Sequence, residues 1–482
     1  MNKKKLALLK QELESVIEQL QNVSVPIDVK PIKRKTSSAD NLLHYASIRE
    51  LDLSELQKKL KKIGVSRLAR SEDHIMHSLH LIHHLVCALL KEPNDINQQK
   101  YITIARAEKK LIKNTKLLLG RKTKKKRVRL MVTIPSEAAT NYQLIEDFVL
   151  QGMNCARINC AHDTKEEWIA MADHIRKAAS KHQRLVKIAM DLGGPKIRTL
   201  CISEEAGFIM LNKGDTIEII DDNVSPTKDV KQIRCTFPEI ISKVKPGEPI
   251  YFDDGKIEGS ITYVEDKKVG INITRCKLEG SKLKTDKGIN LPESNLGIAG
   301  LTPKDKEDFS TIAKIADIVN FSFVNTTDDL DDLFQLMETH KANNISIILK
   351  IETKKAYNNL KDILLATMTK ENAFGVMIAR GDLAIEVGWL NSGRVQNEIL
   401  RMCTAAHTPI IWATQVLENL AKNGIPSRSE ISDINNALKA ECIMLNKGPY
   451  MLEVMQFLNE VLHHEELFQH KNEAMLPKLK RL

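Results

Sequence analysis

No C-x-x-C pair occurs in the 482 residues. The eight cysteines, Cys87, Cys155, Cys160, Cys201, Cys235, Cys276, Cys403 and Cys442, are scattered. That spacing excludes a zinc ribbon and a disulfide scaffold, and a reducing cytosol is the expected compartment. No run approaches the roughly 18 apolar residues of a membrane span. The opening MNKKKLALLKQELESVIEQL returns to charge after a short apolar run, so it reads as an amphipathic helix and not as a signal peptide. There is no P-loop and no Walker lysine motif. Aromatic residues make up only 4% of the chain, and none lies in the basic run RKTKKKRVR at 121–129. Stacking on nucleic-acid bases is therefore unsupported, and neither nucleic acid nor membrane is an expected partner.

What is present is ordinary for a soluble protein, 42% hydrophobic and 28% charged. The length suggests two to four domains at about 100–200 residues each. The net charge of +10 is uneven: residues 1–129 carry about +16, leaving about −6 for the rest. The basic half can meet an acidic partner, although a solvated linker over the basic run is the simpler reading.

Residues 1–120 carry helical periodicity. Leu6, Leu9, Leu13, Ile17 and Leu20 recur at helical spacing. Further helices are expected over Leu53–Ile63, Glu72–Lys91 and Ile102–Leu119. Pro26, Pro31 and the polar SSADN mark a break after the first. His74, His77, His80, His83 and His84 share the third of these helices. They read as a helix surface or interface, or else as a zinc site, but no cysteine or acidic set accompanies them.

From 129 the pattern alternates apolar strands with helices. The expected strands are Leu130–Ile134, Cys155–Cys160, Val186–Leu192, Ile318–Phe323, Ile347–Ile351, Phe374–Ala379, Pro409–Ala413 and Cys442–Leu445. Eight such strands predict an α/β fold, a closed (β/α)8 barrel. The stretch Thr199 to about Lys287 is too long for a loop and reads as short β segments, a small β-barrel lid inserted above the active face. The expected division is 1–120 helical domain, 121–128 basic linker, 129–198 with 288–470 barrel, 199–287 lid and 471–482 basic tail.

The chemistry gathers at strand ends, where parallel-sheet proteins place it. SIILKIET puts Lys350 and Glu352 two apart on one strand face, and a single helix over Tyr357–Met368 leads to AFGVMIARGDLAIE with Asp382. Two carboxylates and an ammonium at adjacent strand tips suit a divalent cation, with Lys350 left for an anionic substrate. A surface ion-pair cluster is the bland alternative. Arg157, Asn159, His162, Asp191, Arg198, Ser322 and Thr414 join the same rim. A cationic rim with a hard-metal site suits phosphoryl transfer.

The stretches ARINCAHD, MDLGGPKIRT, IYFDDGKI, KGINLP, ILKIET, MIARGDLAIE, WATQVLE and PSRSEISDINNA resemble the pyruvate kinase family in order and spacing over about 129–445. The resemblance implies transfer of a phosphoryl group from phosphoenolpyruvate to ADP, giving pyruvate and ATP. It implies Mg²⁺ (or Mn²⁺) on Glu352 and Asp382, Lys350 stabilising the moving group, and Thr414 beside the enolate carbon. Arg157 would contact the transferred phosphate and the Gly381 backbone the substrate carboxylate. Arg198 and Lys287 would hold nucleotide phosphates with Asn159 and His162 nearby, and Asp253-Asp254-Gly255 would lie in the lid. Ala161 and Leu192 replace oxygen-bearing residues of the K⁺ region formed with Asn159 and Asp191. Lys196 stands where many members carry glutamate, so K⁺ is not expected to be required; two placements of Lys196 stay open, a pair with Asp191 or a side chain turned to solvent. The family's carboxy-terminal effector domain has no counterpart after Leu445, so sugar-phosphate activation is not expected and control would come through the amino-terminal helices. A homo-oligomer through the barrel or these helices is compatible. Two other readings stay open: a binding or regulatory protein on a retained barrel, and a metal-dependent enzyme for another enol phosphate or keto acid.

Overall fold

The computed structural model describes all residues except 1, 27–28, 94–100, 124–125, 202–206, 228–229, 466–468, 472 and 475–482. Most of the expected basic tail therefore lies outside the described residues.

Five helices precede the barrel: α1 (Lys3–Gln21), α2 (Thr36–Ile48), α3 (Ser54–Lys62), α4 (Ile75–Leu90) and α5 (Ile104–Leu119). Asn2 and Thr103 cap α1 and α5 by accepting from Lys5 and Arg106 N–H. The heptad-like leucines of α1 are buried against the apolar face of α4. SSADN is not a break, because Ser37–Asn41 lie inside α2. Tertiary hydrogen bonds outweigh their weak helix propensity: the Asn41 amide donates to Glu72 O (2.7 Å) and Ala405 O (2.8 Å) and accepts from Ile75 N–H. The α4 histidines form an interface. His74, just before α4, and His83, on it, reach Ser78 and Glu14, whereas the buried His80 stacks on Tyr101 with neither ring nitrogen hydrogen-bonded.

Eight parallel strands close a barrel: β1 (Arg129–Thr133), β2 (Cys155–Asn159), β3 (Lys187–Asp191), β4 (Ile318–Phe321), β5 (Ser346–Ile351), β6 (Phe374–Ala379), β7 (Ile410–Ala413) and β8 (Cys442–Leu445). Each pairs with its sequence neighbours, and β1 pairs with β8 through Arg129↔Cys442. The helix expected over Tyr357–Met368 is two, Lys354–Asn358 and Leu360–Thr367. Asn359 separates them because its side chain donates to Asn325 O at 2.8 Å.

The lower, amino-terminal mouth of the barrel is stoppered by α5. Leu118 and Leu119, both fully buried, pack with Met131, Ile318, Ile348 and Met377. At about 1.5–3 kcal/mol per buried leucine, this ties the helical region to the barrel. Gly375 on β6 makes room: a Cβ there would stand 2.4 Å from Leu118 Cδ2 and 2.9 Å from Pro409 O. The basic run is anchored and not solvated in its second half. Arg127 donates to Leu438 O and Ala440 O, and the buried Arg129 donates to Gly120 O. Carbonyls of the buried Leu438, Ala440 and Gly120 take up these donors.

The inserted segment has its own core, built from Ile217, Ile219, Ile233, Phe252, Ile271 and others. That core also takes in Ile197, Ile289 and Leu291, all three of which the sequence reading gave to the barrel. Its main sheet has seven strands and runs from Ile289–Asn290 to Thr199–Cys201, with Phe208–Leu211 and Ser281–Lys284 as a separate ribbon. The two ends of the sheet meet through the antiparallel bridge Arg198↔Gly288, where Thr199 N–H donates to Lys287 O and Ile289 N–H to Ile197 O, both at 2.8 Å, so the sheet curls round on itself.

Candidate active site

The upper rim is a connected charge network. Arg157, from β2, donates to both oxygens of Asp191 at the end of β3, at 3.0 and 2.7 Å, and to Thr133 Oγ1 at 3.0 Å. Asp191 also accepts from Asn320 Nδ2 at 2.6 Å and lies 3.3 Å from Lys350 Nζ. Burial alone would raise the Asp191 carboxyl. The charges of Arg157 and then Lys350 outweigh burial and hold it below the usual carboxylate range. Lys350 Nζ further donates to Ser322 Oγ (2.8 Å) and lies 3.1 Å from Glu352 Oε1. The other Glu352 oxygen accepts from Phe323 N–H at 2.7 Å. Burial lifts the Glu352 carboxyl above its ordinary value in spite of Lys350, and the charge of Asp382 adds to the rise.

Asp382 opens the helix Arg380–Val387 that follows β6. Lys196 Nζ donates to its two oxygens at 2.8 and 3.1 Å. Lys196 therefore neither pairs with Asp191 nor turns to solvent. Arg157 already occupies both Asp191 oxygens, so the lysine meets the next carboxylate. Beside Asp382, Gly381 N–H donates to Thr414 Oγ1 at 2.9 Å. Thr414 has φ +63°, an unusual value for a β-branched residue. Arg380 holds the turn in place: it donates to Ala413 O (2.9 Å) and Thr414 O, pairs with Asp433 at 2.7 and 2.8 Å, and lies over the Trp412 ring.

The remaining predicted residues lie around this network. Asn159 Oδ1 accepts from Ala161 N–H at 3.2 Å, and the exposed His162 offers its carbonyl to Trp168 Nε1. Arg198 pairs with Asp286 (3.2 Å) and Lys287 with Asp253 (3.2 Å), both on the lid side. The lid touches the rim at Asp253-Asp254-Gly255: Gly255 has φ +78°, and a Cβ there would stand 2.6 Å from Ile385, on the Asp382 helix. A cavity of about 420 Å³ between lid and barrel is lined by Lys196, Asn290, Phe323, Thr353 and Glu386 among others. Burial pushes Glu386 up to about 7, with the nearby Asp382 adding to the rise and a hydrogen bond from Asn290 Nδ2 (3.1 Å) opposing it.

Sequence reasoning passed over Asn320, Arg380, Asp433 and Glu386. Asn320 lies two before Ser322 on β4, so strand alternation carried the signal. Asp433 lies within PSRSEISDINNA, but nothing local announces its partner. For a divalent cation, the donor set fits in kind. Glu352 and Asp382 are hard oxygen ligands whose mutual repulsion a cation would relieve. No group of three His, Cys, Asp or Glu among the described residues is arranged to hold a metal alone, so other ligands would have to come from substrate and water.

The architecture is thus a closed (β/α)8 barrel with an inserted β segment and a charged upper rim. The family model for the pyruvate kinase barrel domain matches residues 125–451. The pyruvate kinase of Geobacillus stearothermophilus is 33% identical over 356 residues, covering 72% of this chain and 58% of that protein. That of Bacillus licheniformis is 33% identical over 354 residues, with the same coverage. That of Staphylococcus saprophyticus is 31% identical over 351 residues, covering 71% and 58%. The chain belongs to the pyruvate kinase family. It spans less than two thirds of the length of these relatives.

Proposed function

We propose that the chain is a phosphotransferase that converts phosphoenolpyruvate and ADP to pyruvate and ATP. The observation that carries the reading is the compensated network Arg157–Asp191–Lys350–Glu352 beside Asp382. Phosphoryl transfer depends on positioned opposite charges more than on covalent catalysis. Mg²⁺, or Mn²⁺, held by Glu352 and Asp382 would polarise the substrate and neutralise charge on the phosphoryl oxygens.

The protein's own groups supply the rest. Lys350 is held by a serine hydroxyl and two carboxylates, which aim its ammonium without rotamer search. Arg157 is fixed by a bidentate pair with Asp191, so its guanidinium is ready for phosphate without reorganisation. The Thr414 hydroxyl accepts from Gly381 N–H, which leaves its own proton to donate into the rim towards the enolate carbon. Arg198 and Lys287, at the lid edge, suit the nucleotide phosphates. Lys196 brings a tethered ammonium to Asp382, which supports turnover without K⁺.

The test is ³¹P NMR of the purified chain with phosphoenolpyruvate, ADP and Mg²⁺. Loss of the phosphoenolpyruvate signal with matching growth of ATP is expected. Unchanged spectra would favour the binding-protein reading.

A further inference from the structure

A second cleft, of about 290 Å³, lies at the opposite, amino-terminal end of the barrel. Its walls come from the start of α2, from α5, and from the segments entering β6 and β7. Arg34, Lys35, Arg106, Lys109, Lys110 and Lys113 line it, and no carboxylate does. On α5 these cations recur at i, i+3, i+4 and i+7, so they share one side of the helix. Its other side buries Ala107, Leu111, Thr115 and Leu118 in the protein.

Few of these charges are compensated. Arg34 pairs with Glu371 at the outer edge (3.2 Å), and Asp40 lies close enough to Lys110 to act on its charge. Lys110 Nζ donates to Ser37 Oγ at 2.6 Å. Arg106, Lys109 and Lys113 make no ion pair with any described residue. Lys35 Nζ is drawn inward onto Lys370 O (2.5 Å) and Asn372 O (2.9 Å) and lies 4.8 Å from the Phe374 ring centre. Burial, and then the charge of Arg34, push its ammonium down to about 7. The floor is closed by buried polar groups: His407 is bonded to Ser38 Oγ and Asp73 O, and Asn114 to His407 O.

Like charges gathered in a partly enclosed cleft repel one another and focus a positive potential. A polyanion relieves that repulsion, and guanidinium and ammonium groups together match phosphate oxygens. The volume is at the small end of ligand sites, which run from about 300 Å³. Leu117, Met368 and Phe374 add an apolar wall for a ligand body. We propose that this cleft is a binding site for a small organic phosphate carrying two or more negative charges. A nucleic acid fits less well, because the single lining aromatic, Phe374, is already covered by Lys35. The floor segments lead into β6 and β7, whose far ends carry Asp382 and Thr414. The proposal rests on the cleft alone and does not depend on the proposed activity.

The test is calorimetric titration of the full chain with two probes, pyrophosphate and glucose 6-phosphate. Because the upper rim is itself cationic, the titration compares Lys109→Glu/Lys113→Glu with Arg198→Ala. Wild type and Arg198→Ala should bind at least one probe alike. The double charge reversal should weaken that binding at least about tenfold, as expected for lost charge-assisted hydrogen bonds, with unchanged circular dichroism. Arg106→Gln should weaken it by a smaller factor. Wild-type affinity in the double variant, or abolition of all binding by Arg198→Ala, would overturn the assignment. So would no saturable binding of either probe below about 10 mM. Binding of a short RNA through the same lysines, with neither small phosphate bound, would replace it with a nucleic-acid site.

Discussion

The two ends of this barrel carry charge in opposite ways. At the upper rim nearly every cation has a carboxylate within hydrogen-bonding distance: Arg157 and Lys350 share Asp191, Lys350 also meets Glu352, and Lys196 holds Asp382. At the lower end Arg106, Lys109 and Lys113 face a cleft lined by no acid. A compensated cluster can be buried and held still, as pre-organised electrostatics requires. An uncompensated one must stay near water and await an anion. The difference separates a cluster whose charges are already neutralised from one whose charges are not.

The comparison breaks first at Lys350. If the upper network is pre-organised for transfer, Lys350→Met should lower kcat by on the order of 3–4 kcal/mol with little change in KM for phosphoenolpyruvate. Steady-state kinetics reads this directly, and a change confined to KM would make the lysine a simple binding group. Next is the support beneath Thr414. Arg380→Gln removes the Asp433 pair and the hold on the Ala413 and Thr414 carbonyls, so kcat should fall about tenfold or more. A smaller loss in Arg380→Lys would distinguish this positioning from general destabilisation.

The lower end makes a prediction about stability. His407 is fully buried and neutral, and burial, with Lys110 and His74 adding, pushes its pKa down to about 3. The unfolded chain binds a proton at this residue near pH 6.5, whereas the folded one resists it. The stabilisation is therefore complete above about pH 6.5 and is lost as pH falls towards 3, a change of a few kcal/mol. Thermal melts at pH 7.5 and 5.0 should show a smaller drop for His407→Gln than for wild type; equal drops would place the acid sensitivity elsewhere. The smallest expected effect concerns K⁺. With Lys196 on Asp382, the rate in buffer free of K⁺ and Na⁺ should match that with added K⁺ at fixed ionic strength.

The upper rim was largely legible in the sequence, and the lower end was not. Apolar runs bounded by turns mark each barrel strand, and every expected strand overlaps an observed one with ends within about two residues. The rim residues lie in contiguous motifs at strand ends, so reading one residue of a motif placed the others. The cleft draws on segments near 34–38, 106–117, 368–374 and 406–408, and no local pattern joins them. Lys196 was misassigned for the same reason: its partner is 186 residues away, and only the fold shows that Arg157 had already taken Asp191. SSADN was misread because polar residues favour turns locally, whereas the amide of Asn41 is satisfied by α4 and the barrel. The reading of the basic run as solvated failed at Arg127 because the carbonyls that anchor it lie beyond residue 437, whereas Arg121 and Lys122 are exposed.

The central claim is that the compensated upper rim performs phosphoryl transfer around Glu352 and Asp382. The most direct measurement is the initial rate of pyruvate formation from phosphoenolpyruvate, ADP and Mg²⁺, for wild type and Asp382→Ala side by side, with circular dichroism to confirm equal folding. Steady turnover by wild type and a loss of at least about a thousandfold in Asp382→Ala is the predicted result, as expected when a charge-stabilising centre is removed. Equal rates in the two proteins, or no turnover by wild type, would contradict the account.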